Sequence, residues 1–93
     1  MSILGRFVKQ PLEILDYDVD FSAWFAGRGD TPASIAVITE PGIVLVGNSL
    51  VGTIVKVVLS GGTDGVKYKI TVRLTTTSGI VREADFSVAV KED

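Results

Sequence analysis

Cysteine and histidine are both absent from this chain of 93 residues. Without Cys there are no disulfides and no thiolate metal sites, so a secreted disulfide scaffold is ruled out. Without His the commonest general base and the commonest metal ligand are gone. A cationic excess is missing too. Nine Lys plus Arg against eleven Asp plus Glu leave a net charge of -2, and no basic patch invites nucleic acid. Long apolar runs are also lacking. Residues 1–10 have no continuous apolar core of the signal-peptide kind, and no stretch approaches a membrane span. These absences point to a chain kept in the cytoplasm until it is assembled or released, with no cofactor, metal, nucleic acid or membrane as partner.

What is present is a β pattern. After a glycine-rich segment, Gly61-Gly62-Thr63-Asp64-Gly65, the residues Val66, Tyr68, Ile70, Val72 and Leu74 alternate with Lys67, Lys69, Thr71, Arg73 and Thr75. Period two is the mark of a strand with one buried face. A hairpin at the glycines would set Lys56 opposite Lys69, and like charges across a ladder are unfavourable. The segment is better read as a corner that carries the chain from one sheet to another, with Tyr68 in the position of the tyrosine corner of immunoglobulin-like sandwiches. Downstream, Thr77-Ser78-Gly79 forms a three-residue hairpin loop. It pairs Ile70 with Phe86, Tyr68 with Val88, and Arg73 with Glu83. A loop of two residues would turn Asp85 and Glu83 inward, which the burial pattern forbids.

Along the rest of the chain, residues 1–11 read as an N-terminal arm whose apolar members Ile3, Leu4, Phe7 and Val8 keep no clear period. It is a loose tail, an edge strand or an arm that docks on a partner. Leu15, Tyr17, Val19 and Phe21 then alternate with Asp16, Asp18 and Asp20, giving a strand with an acidic outer face. A flat strand spaces those carboxylates too widely for one cation, so the face is solvated or meets a basic partner. Phe21, Trp24 and Phe25 lie on one face of a helical turn, either as a plug at the end of the sandwich or as an exposed anchor at an interface. Arg28-Gly29-Asp30 spells a tripeptide too short to signify receptor binding.

A strand from Ala33 to Thr39 with Ile35 and Val37 inward leads to a turn at Glu40-Pro41-Gly42-Ile43. A short strand from Ile43 to Val46, a turn at Gly47-Asn48-Ser49, and a strand from Gly52 to Ser60 complete the first half. Ile54 and Val58 fall on the outer face of that last strand and are candidates for contact with another chain, or for cover by a neighbouring loop. The expected fold is an all-β, two-sheet antiparallel sandwich of immunoglobulin or fibronectin type III character, with about six or seven strands and one helical turn. Residues 12–93 make the domain.

Catalysis needs a nucleophile beside a base, carboxylates in unlike environments, or a metal, and none can be assembled from these residues. The glycine-rich segment lacks the Lys-Ser/Thr ending and the following helix of a phosphate loop. An enzyme would require a cleft gathering Asp16, Asp18 or Asp64 beside a cation.

Phe7-Val8-Lys9-Gln10-Pro11, Leu15-Asp16-Tyr17, Asp20-Phe21-Ser22-Ala23-Trp24 and Gly29-Asp30-Thr31 resemble the opening of a family of small tailed-bacteriophage structural proteins, the fiber-tail adaptor proteins. Leu59-Ser60-Gly61-Gly62 with Gly65, Tyr68, Thr76-Thr77-Ser78-Gly79 and Arg82-Glu83 resemble its second half. Phe21 stands where a Trp is expected and Gln10 where an Asp is usual. The resemblance implies an immunoglobulin-like sandwich that joins virion components, made in the bacterial host cytoplasm and located in the virion of a phage or prophage. Its expected partners are other virion proteins, with a homo-oligomer or ring a further option. The candidate interface is Ile3, Leu4, Phe7, Val8, Trp24, Phe25, Ile54 and Val58. The alternative is a stand-alone immunoglobulin-like module that binds carbohydrate or a cell surface through an exposed Trp24.

Overall fold

The computed structural model describes residues 3–92, with Ile3 and Leu4 described by backbone alone. In chain order the elements are β1 (Ile3–Lys9), β2 (Leu15–Asp20), a single helical turn α1 (Ser22–Phe25), β3 (Pro32–Thr39), β4 (Ile43–Val51), β5 (Ile54–Gly61), β6 (Lys67–Thr76) and β7 (Val81–Val90). They form an all-β sandwich: a four-stranded sheet in the order β1-β7-β6-β3 faces a three-stranded sheet in the order β2-β5-β4. β1 runs parallel to β7, and the other pairs are antiparallel. No described helix is long and apolar enough to cross a membrane.

The alternation in the sequence becomes the core. Val55, Val57 and Leu59 of β5 face Ile70, Val72 and Leu74 of β6, and Phe86, Val88 and Val90 of β7 complete the layer; all are buried. Burying each such side chain stabilises the fold by about 1.5 to 3 kcal/mol before the cost of ordering the chain is counted. The central hairpin has the expected register, with Tyr68 opposite Val88 and Ile70 opposite Phe86. On its outer face Arg73 Nε donates to Glu83 Oε2 at 2.6 Å.

Between β5 and β6 the chain passes from one sheet to the other, as the corner reading requires. Tyr68 is buried there, and its hydroxyl accepts a hydrogen bond of 2.9 Å from the Thr63 backbone N–H. The Gly65 N–H donates to the Val90 carbonyl at 2.8 Å, and the Val90 N–H returns a bond of 2.9 Å to the Val66 carbonyl. Gly62 lies so close to β7 that a Cβ would stand 2.5 Å from Val90 Cγ2, in a backbone with φ of +96°. Only glycine fits. Val66, at the outer rim of this corner, is exposed rather than part of the buried row.

The segment Gly47-Asn48-Ser49 is not a turn. β4 pairs with β5 along its length, and a bulge between Leu45 and Gly47 absorbs the extra residue. The reversal comes at Gly52-Thr53, where Val51 pairs with Ile54 and Gly52 has φ of 59°. A two-residue hairpin with glycine first is a type II′ turn, whose twist suits the flanking strands. Gly47 has no positive φ. The turn-like composition therefore marks a bulged edge strand, where small polar residues are tolerated.

Candidate partner interface

β1 places the first group of candidates. Of the three readings of the N-terminal arm, residues 3–9 are the edge strand, hydrogen-bonded to β7. Phe7 turns inward at the open side of the sandwich, 42% exposed, its ring 5.1 Å from that of Tyr17 and 5.7 Å from that of Phe86. Val8 points away from the core and is 66% exposed. The side chains of Ile3 and Leu4 lie outside the described residues.

Lys9 was not singled out by its pattern, yet it is fully buried. Its ammonium donates to the carbonyls of Gln10 at 2.8 Å, Pro11 at 3.3 Å and Gly61 at 2.7 Å. The bond to Gly61 ties the end of β1 to the end of β5 in the opposite sheet. Burial pushes the Lys9 amine below its ordinary value, partly opposed by the carboxylate of Glu13. A lysine inside an apolar stretch gives no sequence signal for such a role; the adjacent Gln10-Pro11 break in the strand was the available hint.

The outer face of the three-stranded sheet holds the second group. Asp16, Asp18 and Asp20 of β2 lie beside Val58, Lys56 and Ile54 of β5 in register. Lys56 Nζ sits 3.0 Å from both Asp16 Oδ2 and Asp18 Oδ1. Its hydrogen bonds with Asp16 and then Asp18 raise the Lys56 amine, and the one from Lys56 holds the Asp16 carboxyl below the usual range. These pairs are exposed, so they contribute little to stability. Asp16 and Asp18 thus lie beside a cation on an open sheet face. Ile54 is 41% exposed and Val58 half-buried, and across β5 the exposed Val44 and Val51 of β4 extend the apolar side. The sequence singles out neither of these β4 residues, because the turn expected at Gly47 hides the continuity of β4.

The third group splits. Phe25 is a core residue, 8% exposed, which fits the plug reading of the helical turn and not the exposed anchor. At i+4 from the buried Phe21 it follows the same helical face into the end of the sandwich. Trp24 is partly buried against Phe25, with ring centroids 4.8 Å apart. The Arg28 guanidinium lies 4.3 Å from the Trp24 ring centroid and that of Arg82 lies 5.7 Å away. Arg28 and Arg82 extend this patch beyond the residues expected.

Asp30, the last residue of Arg28-Gly29-Asp30, braces the same end. Its carboxylate accepts from the Ser78 hydroxyl at 2.5 Å and from the Thr31 N–H at 2.9 Å. These bonds, led by that of Ser78, hold its pKa down to about 2. Asp30 therefore pins the loop before β3 to the β6–β7 hairpin.

The candidates that remain at the surface thus occupy separate faces: Phe7 and Val8 at the β1 edge, Ile54 and Val58 on the outer face of β5, and Trp24 at the end that carries α1. The description "Podophage GP4 fiber-tail adaptor protein gp77" belongs to a family model that matches residues 9–91. The match starts at the buried Lys9 and runs through the end of β7. No curated protein matches the chain. With the family model covering nearly all of its 93 residues, the chain belongs to the podophage GP4 fiber-tail adaptor protein gp77 family.

Proposed function

We propose that this chain is a structural component of a phage or prophage virion, joining other virion proteins by contact and without catalysis in a head-tail, tail or fiber assembly. Membership of the fiber-tail adaptor family is the observation that carries the reading. The surface agrees with it: Phe7 and Val8 at the β1 edge, Ile54 and Val58 on the outer face of β5, and Trp24 at the α1 end lie on several faces, as a joint between different neighbours requires. An immunoglobulin-like lineage belongs to the same proposal. With the strands lettered A to G in chain order, the sheets read B-E-D and A-G-F-C. That is the constant-type order with the first strand moved to the other sheet, and Tyr68 stands at the start of F as a tyrosine corner does. The carbohydrate alternative needs a free aromatic face, whereas Arg28 covers the Trp24 ring.

Particles grown from a genome lacking this chain should be missing the component it joins, with attachment restored when the chain is supplied in trans. Complete, infectious particles without the chain would overturn the proposal.

A further inference from the structure

The sandwich has four edge strands, β1, β3, β2 and β4. Three of them are interrupted. β1 has a register break between Ile3 and Arg6, β3 between Pro32 and Ser34, and β4 between Leu45 and Gly47. Bulges and proline are devices by which exposed edges avoid pairing with other chains. β2 has none: its six residues from Leu15 to Asp20 keep one unbroken register with β5.

The hydrogen-bond phase of β2 follows from one contact. The Phe21 N–H bonds the Thr53 carbonyl at 2.9 Å, and the same register makes Leu15, Tyr17 and Val19 the residues that bond β5. The backbone N–H and C=O groups of Asp16, Asp18 and Asp20 therefore face outward along the free edge. Their side chains form the acidic row on the outer face. On the inner side, a groove of about 240 Å³ opens between β1 and β2, lined by Phe7, Tyr17, Val19 and Phe86 with Asp18 and Asp20 at its rim. Tyr17, 8% exposed, has a hydroxyl with no hydrogen-bond partner among the described residues.

We propose that the free edge of β2 accepts a β-strand from a partner, one that alternates apolar residues with Lys or Arg. Inward-facing apolar side chains would enter the groove over Phe7 and Phe86, and the cations would lie beside Asp16, Asp18 and Asp20. Main-chain bonds give such an addition its affinity and alternate side chains its specificity. Charge decides the occupant. Of the three carboxylates on this face, Asp16 and Asp18 share Lys56, and Asp20 accepts only from the Ser22 N–H among the described residues. A second copy adding through its own β2 would set two acidic rows against each other, which is unfavourable across a ladder. The adaptor reading bears only on whose strand this is.

The test is amide hydrogen exchange of the full chain with a synthetic hexapeptide alternating Lys and Val, against its counterpart alternating Glu and Val. The Lys peptide should slow exchange at the Asp18 and Asp20 amides by about tenfold or more, and the Glu peptide should not. Asp18→Pro should abolish the effect, since that N–H is spent on no internal ladder bond. The double variant Asp16→Lys with Asp18→Lys should transfer the preference to the Glu peptide, and it serves if the proline variant does not fold. No slowing, equal slowing by both peptides, protection centred on β3 or β4, or self-association through β2 would each overturn the inference. Specific strand binding by a chain found dispensable in particles would sink the adaptor reading and leave the edge as proposed.

Discussion

Tyr68 holds the two sheets together where the chain passes between them, through a ring in the core and a hydroxyl that accepts from Thr63. Tyr68→Phe keeps the ring and leaves that N–H without its acceptor, so urea denaturation should show a loss of about 1 kcal/mol. An unchanged midpoint and slope would mean that the hydroxyl contributes nothing to the corner. Asp30 supplies a pH dependence. Its carboxyl is depressed from the model-peptide value of 3.8 to about 2 by Ser78, so the folded state binds fewer protons there than the unfolded chain. Its contribution is fully present above pH 3.8 and is lost as the pH falls toward about 2. Acid titration of Asp30→Asn should lack the part of the stability loss that the parent shows in this window. Identical acid profiles would contradict the assignment.

At the scale of elements, β1 is the part whose role changed most between sequence and structure. Its apolar residues keep no period because Phe7 and Lys9 are used inward at the edge, while a register break separates them from Ile3. Removing residues 1–10 takes away the β1 pairing, the Phe7 contacts with Tyr17 and Phe86, and the Lys9 bond across to Gly61. Truncation should cost roughly 2 to 4 kcal/mol of stability, and a full-strength fold without these residues would make β1 a dispensable arm. The strands β2, β5, β6 and β7 were legible because strict alternation and one hairpin loop fix both face and register. β4 was not. Gly47, Asn48 and Ser49 have turn composition, and composition cannot distinguish a reversal from a bulge in an edge strand. The placement of the candidate residues was legible in part: Ile54 and Val58 lie on the expected outer face, Phe25 packs into the core with Phe21, and Lys9 becomes visible only when its distant carbonyl partners come together in space.

For the whole molecule, the family and the surfaces lead to one account: a small sandwich that works by holding neighbours in place. Repetition of the chain around a symmetric assembly would let individually weak contacts add through multivalency. The measurement that tests this most directly is the copy number of the chain in purified, infectious particles of the phage that encodes it, by quantitative mass spectrometry. The account predicts a fixed number per particle that matches a symmetric ring of partner subunits. Absence of the chain from such particles would contradict it.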